Sequence, residues 1–244
     1  MYKNKTITLC LPCRNEAASL KRVKQIIPSI VDEVIVVSNR STDDSLAVAH
    51  AQGFIAIEDN RADAGIGYGY AHMTAIQAAT GDIIIGADCD GTYPLEQIPM
   101  IVNRLLSEEI DFISCNRYPV QDSVAIPLSL RFGVNLLNTE VRLLYGTPIQ
   151  DILSGMWVFR AGVRDALALT KGDWNLSPQI KLNAATHPGI RFAEQHIPQH
   201  AREGKTHQSY FKTGFSHALW IFRNRLSVAR LPATQFDLEG ISEV

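Results

Sequence analysis

The chain has 244 residues, of which 46% are hydrophobic and 20% charged, with a formal net charge of −2. That content suffices for one full-sized α/β domain; the near-neutral charge argues against a nucleic-acid binder and against a charged disordered tail, so an anionic ligand has to be held by local groups. No run of about 18 apolar residues occurs, so no segment is expected to span a membrane, and four cysteines with no secretory signal at Met1-Tyr2-Lys3-Asn4-Lys5 point to a reducing cytoplasm.

Short β-branched runs alternate with amphipathic segments through the first half. Thr6 to Leu11 reads as a strand, broken by Pro12-Cys13-Arg14-Asn15-Glu16, and Ala17 to Ile30 as a helix. Val34 to Val37 is a continuous apolar run, as in a strand buried on both faces. Ser41-Thr42-Asp43 offers caps for a helix reaching Gln52. Phe54 to Ile57 is a third strand, Tyr68 to Thr80 a helix stopped by Gly81, and Ile83 to Ile85 a fourth strand ending at Asp88. Pro94 opens a helix to Ser107, and Phe112 to Cys115 is a fifth strand. This alternation predicts a parallel, doubly wound sheet. Ligands of such sheets sit outside the carboxyl ends of the strands, where Pro12 to Glu16, Ser38 to Asp43 and Asp88 to Pro94 are the most polar stretches. In the second half Leu128 to Leu144 reads as a helix, Met156 to Phe159 as a strand, Pro178 to His187 as a helix, Ile190 to His196 as a strand and Thr213 to Leu231 as a helix. No linker or repeat interrupts the chain, which reads as one domain.

The sharpest chemical feature is Asp88-Cys89-Asp90-Gly91-Thr92-Tyr93-Pro94. Two carboxylates at the mouth of an apolar strand call for neutralisation. Mg²⁺ or Mn²⁺ supplies it and also bridges nucleotide phosphates; the plainer alternative is a solvated turn or helix cap. Asn60-Arg61 and Gly65-Ile66-Gly67-Tyr68-Gly69 precede a helix, where backbone amides suit phosphate or simply form a turn. The glycines follow the third strand, not the first, which argues against a dinucleotide-binding motif. Cys10-Leu11-Pro12-Cys13 reads as packed thiols in preference to a redox or zinc pair. His187, His196, His200 and His207 fit no common zinc spacing and read as packed or surface residues. Trp157 and Trp174 suit either core or sugar stacking.

The order Pro12-x-x-Asn15-Glu16, Ser41-Thr42-Asp43, Arg61 with Gly65-x-Gly67, Gly81-Asp82 and Asp88-x-Asp90-Gly91-Thr92-Tyr93-Pro94 resembles the family-2 glycosyltransferases of GT-A fold. It is most similar to their dolichol-phosphate mannosyltransferase and polyprenyl-phosphate glycosyltransferase branch. The resemblance implies a mostly parallel central sheet flanked by helices, with a nucleotide-sugar-binding half (1–118), an acceptor-binding half (119–212) and a C-terminal helix and tail (213–244). It implies a nucleotide pocket lined by Pro12, Arg14 and Glu16, with Asn39, Asp43, Arg61 and Gly67 in the nucleotide-sugar-binding loops. Asp88 and Asp90, a DXD motif, would hold the metal and diphosphate. Arg117 and Arg131 would meet a lipid phosphate, Asp151 would serve the acceptor side, and Arg202 and Lys205 would close over the phosphates. Two positions depart from the pattern. Ser38-Asn39-Arg40 stands where the family carries one or two aspartates, and Ser177-Pro178-Gln179 where a Glu is common.

The expected activity is inverting transfer of a hexose-type sugar from a GDP- or UDP-linked donor to polyprenyl phosphate. A phosphate acceptor needs positioning and charge matching; a hydroxyl acceptor would make Asp151 the candidate base. The alternatives are the same donor chemistry on a soluble or saccharide hydroxyl, and a non-catalytic nucleotide-sugar binder. Phe215, Leu219, Phe222, Leu226 and Ala229 form a helical stripe flanked by Arg223, Arg225 and Arg230. It suits peripheral contact with the cytoplasmic face of a membrane, a membrane partner, packing on its own domain, or an oligomer contact.

Overall fold

The structure, a computed structural model, describes residues 1–61, 67–120, 126, 128–200 and 209–229. Its elements in chain order are β1 (Ile7–Cys13), α1 (Ala17–Ile26), β2 (Glu33–Ser38), α2 (Ser45–Ala51), β3 (Ile55–Glu58), α3 (Tyr68–Ala78), β4 (Ile83–Gly86), α4 (Ile98–Ser107), β5 (Phe112–Asn116), α5 (Leu128–Tyr145), β6 (Trp157–Arg160), α6 (Leu176–Thr186), β7 (Phe192–His196) and α7 (Tyr210–Ala229). Two helix ends differ from expectation because of proline. α1 stops at Ile26, since Ile27 precedes Pro28 and is extended. Pro94 opens only a 3₁₀ turn, Leu95–Gln97, and α4 starts at Ile98 with Pro99 in its first turn.

The strands form one sheet in the order β3-β2-β1-β4-β6-β5-β7. All its pairings are parallel except those of β6, which runs antiparallel to both β4 and β5. The expected run of five parallel strands is therefore interrupted. An apolar run such as Met156 to Phe159 specifies burial but carries no direction. The reversal matters for the site: β6 begins at the edge where β4 and β5 end, which brings Asp151–Met156 to the carboxyl edge of the sheet.

Side chains of β1 alternate between two layers. Leu9, Leu11 and Cys13 pack with Leu20, Ile98 and Ile101 on the face covered by α1 and α4. Cys10 packs on the other face with Ala71, Ala75, Ile180 and Ala184 of α3 and α6. Cys10 and Cys13 thus point to opposite faces, and all four cysteines are buried, free thiols. A third cluster, Leu137, Val141, Ile152, Leu182 and Ile221, joins α5 and α7 to the body. The Phe215–Leu226 stripe does not pack on its own domain: Phe215 is 73% exposed, with Leu219, Phe222 and Leu226 also outward. Ala218, Trp220 and Ile221 make the inward contact instead. Among the described residues no helix is long and apolar enough to cross a membrane.

Candidate active site

Asp88 and Asp90 follow β4 at the carboxyl edge, with Cys89 between them packed into the core. Gly91, at φ +78, turns the chain back, and Asp90 fixes the turn by accepting from the Thr92 N–H (3.0 Å) and hydroxyl (2.7 Å). Asp88 is half-buried and accepts from the Tyr68 hydroxyl at 3.3 Å. Gly155 lies directly against it: a Cβ there would sit 3.2 Å from a carboxylate oxygen. Among the described residues no group of three or more His, Cys, Asp or Glu side chains converges as a metal cage.

The loops after β1, β2 and β3 are tied to one another. Asn15 takes a left-handed conformation, φ +56, and its side-chain oxygen accepts from the Thr42 N–H at 2.7 Å. Asp43 accepts from the Ala17 and Ser45 N–H groups and Ser45 from Glu16 N–H, so the Pro12–Glu16 turn is braced against the start of α2. Asn39 is buried and its amide donates to the carbonyls of Asp59 and Arg61 (2.9 Å to the latter); its own oxygen has no partner among the described residues. Arg61 is held by Asp59 and Thr74 and lies over Tyr70. Hydrogen bonds from Arg61, joined by Thr74, hold the Asp59 carboxyl down to about 2. Sequence reading passed over Asp59, although Asp-Asn-Arg after an apolar strand repeats the polar strand-end signal.

Gly67 is left-handed (φ +72), and a side chain there would overlap the Asn39 amide and the Arg61 carbonyl. At the start of α3, expected to suit phosphate, the Gly69 and Tyr70 N–H groups both donate to the Gly172 carbonyl, at 3.0 and 3.2 Å. Those two first-turn donors are therefore spent on the protein. Gly65, Arg202 and Lys205 lie outside the described residues.

Among the residues expected to serve the acceptor, Arg117, just after β5, meets Asp151, in the loop that leads into β6. Nε donates to Oδ2 at 2.6 Å and Nη2 to Oδ1 at 2.9 Å, with side chains 10% and 0% exposed. The Arg117 and Ser154 N–H groups complete the shell of Asp151. Burial opposes the charge of Asp151, but Arg117 and Lys181 outweigh it and hold the carboxyl below the usual range. Both oxygens thus face donors, an arrangement suited to holding Arg117 and ill-suited to taking a proton.

Arg131, in the first turn of α5, donates through Nε to the Ile126 carbonyl at 2.8 Å. Its Nη2 and the Tyr118 hydroxyl are buried without partners among the described residues. Tyr118 feels the charges of Asp151, Arg117 and Arg131 together. Tyr93 joins the two sides of the site: its hydroxyl accepts from Gly155 N–H, and it feels both Arg117 and Asp88. Tyr93, Tyr118 and Gly155 were not singled out from the sequence, although Tyr93 stands in the DXD stretch and Gly155 follows Ser154 in the acceptor motif. Trp157 is core, fully buried in β6, while Trp174 is partly exposed and stacks on Tyr68 at 4.4 Å. His187, His196 and His200 are dispersed, His196 against the Tyr118 carbonyl and His200 near Glu96; His207 lies outside the described residues.

Comparison with known proteins agrees with this layout. The family model Glycosyl transferase family 2 matches residues 8–167. The "Low-salt glycan biosynthesis hexosyltransferase Agl6" of Haloferax volcanii is 26% identical over 90% of this chain, which spans 54% of that relative's length. A "Dolichyl-phosphate hexose transferase" of the same organism is 28% identical over 82% of this chain and 85% of its own. Among solved structures, glucosyl-3-phosphoglycerate synthase from Mycobacterium tuberculosis, in complex with Mn²⁺, UDP and phosphoglyceric acid, superposes with a TM-score of 0.72. It covers 95% of this chain and 81% of its own at 20% identity, a likeness of fold. The chain belongs to glycosyl transferase family 2 and carries the GT-A fold.

Proposed function

We propose that this protein is a metal-dependent, inverting hexosyltransferase that passes a sugar from a nucleotide-diphosphate sugar to a polyprenyl phosphate. The observation carrying this reading is the Arg117–Asp151 pair, in which one guanidinium occupies both oxygens of the carboxylate. With Arg131 and Tyr118 nearby, the acceptor side offers donors and positive charge. A phosphate monoester is already anionic at neutral pH and suits such a site without a base. One of its oxygens forms the new bond to the anomeric carbon as the bond to the β-phosphate oxygen breaks, and the nucleoside diphosphate leaves with the electron pair. A hydroxyl acceptor would instead require Asp151 to release Arg117 and take a proton.

On the donor side, Asp88, beside the bare Gly155, together with Asp90 fits a hard divalent cation, Mg²⁺ or Mn²⁺, which takes one or two carboxylates together with substrate phosphates. When bound, such an ion neutralises the departing diphosphate. Pro12, Arg14 and Glu16 line the nucleotide side, so that 1–118 serves the donor and 119–212 the acceptor. The Mn²⁺ and UDP bound by the mycobacterial synthase support the donor reading, and the dolichyl-phosphate relative supports the lipid acceptor. The phosphoglyceric acid bound by the same synthase favours a second reading, a soluble phosphorylated acceptor held by the same arginines.

A transfer assay tests both readings, with GDP- and UDP-hexoses crossed against detergent-dispersed polyprenyl phosphate, phosphoglycerate and free hexoses, with and without Mn²⁺. Metal-dependent transfer to the lipid phosphate, reduced about 100-fold or more by Arg117→Lys, is the expected result. Transfer to hydroxyls alone, or nucleotide binding without turnover on any acceptor, overturns it.

A further inference from the structure

Lys181 lies in the middle of α6 with none of its surface exposed, between the apolar Ile180 and Leu182. A lysine is rarely buried so completely without a specific partner. Its Nζ donates to the backbone carbonyl of Asp151 at 2.7 Å. Glu194 of β7 accepts from the Gln150 N–H at 2.9 Å and the Asp151 N–H at 3.4 Å. The backbone of Asp151 is therefore gripped at both its polar groups, from two elements, by side chains of opposite charge. The side chain thus fixed is the one that carries Arg117.

The charged and titratable groups around the ammonium are Asp151, Arg117, Glu194 and Cys115. Two cations and two carboxylates balance when all are ionised. Burial works against the Lys181 charge; Asp151 and Glu194 favour it but recover only part, leaving the amine at about 7. An apolar side chain would suit the packing of α6 and avoid this desolvation. It would also leave the Asp151 carbonyl without its donor and the pocket one positive charge poorer.

We propose that Lys181 is a positioning residue for the Arg117 guanidinium, acting through Asp151, and that its charge keeps the acceptor pocket attractive to a phosphate. The second half of this rests on the reading of Arg117 as an acceptor contact. The test compares wild type with Lys181→Met, Lys181→Gln and Lys181→Arg using two readouts.

The first needs no turnover. In protein labelled with ¹⁵N-arginine, the Arg117 Nε–H resonance, assigned by its loss in Arg117→Lys, reports the bond to Asp151. Lys181→Met should shift it and speed its hydrogen exchange about tenfold or more, with partial return in Lys181→Arg. Lys181→Gln retains a donor and stands in if Lys181→Met does not fold. The second readout is kinetic. Either uncharged variant should raise the acceptor KM about tenfold or more while the donor KM stays within about twofold. The wild-type advantage in acceptor kcat/KM should shrink as pH rises from 6 to 8. An unmoved Arg117 resonance in folded Lys181→Met overturns the positioning role. An unchanged acceptor KM in enzymes that do use a phosphate acceptor overturns the charge role. A moved resonance in a protein that uses no phosphate acceptor supports the positioning of Arg117 and overturns only the acceptor reading.

Discussion

Gly67 and Asn39 are in such close apposition that a single added carbon on the glycine would overlap the asparagine carboxamide. The amide nitrogen is already committed to the Asp59 and Arg61 carbonyls, so Asn39 braces the β2 and β3 strand ends from within. An aspartate, the residue the family pattern leads one to expect here, has no proton to give those carbonyls and would place a charge beside Asp59. Asn39→Asp should therefore cost about 2–4 kcal/mol of stability and leave nucleotide affinity no better. Urea unfolding and calorimetric titration with UDP and GDP check this. A variant as stable as wild type that binds either nucleotide more tightly would make residue 39 a reader of the base.

His72 should contribute to acid sensitivity. It has no exposed surface, neither ring nitrogen has a partner among the described residues, and it lies between Tyr68 and Trp157 at 4.7 and 4.9 Å. Burial pushes its pKa down to about 3, against about 6.5 for an unfolded histidine. Between those values the unfolded chain holds a proton that the native protein lacks. Stability therefore falls as pH drops through this window, by about 1.4 kcal/mol per pH unit from this residue. His72→Phe should remove that share of the slope. Denaturant unfolding at pH 7, 5.5 and 4.5 measures it, and equal slopes in the two proteins would mean that His72 takes up its proton without unfolding.

Periodicity and punctuation made the secondary structure legible: among the described residues, each strand and α-helix lies where an apolar run or an amphipathic stretch reads as one. Asp88, Asp90, Arg117, Arg131 and Asp151 stood out as motif positions that the described structure gathers at one edge of the sheet. What could not be read was the pairing. Nothing in Trp157–Arg160 reveals that this strand runs backwards between β4 and β5, since direction is set by its partners. Because that reversal brings Asp151 to Arg117, their ion pair was hidden too. Lys181 gave no signal, because a lone lysine in a helix ordinarily faces water. The tie at the start of α3 was equally illegible: the carbonyl that takes the Gly69 and Tyr70 amides comes from Gly172, about a hundred residues away.

A substitution at Asp90 tests its proposed metal role apart from folding. Its Oδ1 accepts both Thr92 bonds, and an asparagine oxygen can accept them equally well. Asp90→Asn should melt within about 2 °C of wild type when ligand-free. It should lose the added stabilisation by nucleotide with Mn²⁺ and reduce turnover about 10²- to 10³-fold. A thermal-shift series with UDP or GDP and Mn²⁺ tests this. Retention of a metal-dependent shift in Asp90→Asn would remove Asp90 from the donor site.

The outward faces of α5 and α7 bear on where the protein meets its acceptor. Leu128, Phe132, Leu136 and Leu143 of α5 and Phe211, Phe215 and Phe222 of α7 are exposed on two helices that pack together. Arg142, Lys212 and Arg223 are exposed on the same helices, and α7 contains no acidic residue. Exposed aromatic side chains accompanied by cations suit the headgroup boundary of an anionic bilayer. Each Phe withdrawn from water there contributes about 1.5–3 kcal/mol, so Phe132→Ser with Phe215→Ser should weaken sedimentation with anionic vesicles more than about tenfold. Because neither ring supports the core, melting temperature should hold. Turnover on a water-soluble acceptor analogue should hold as well, while turnover on vesicle-borne polyprenyl phosphate falls. If wild type instead ignores vesicles and sediments as a dimer that the double variant dissociates, the face belongs to a second copy of the chain.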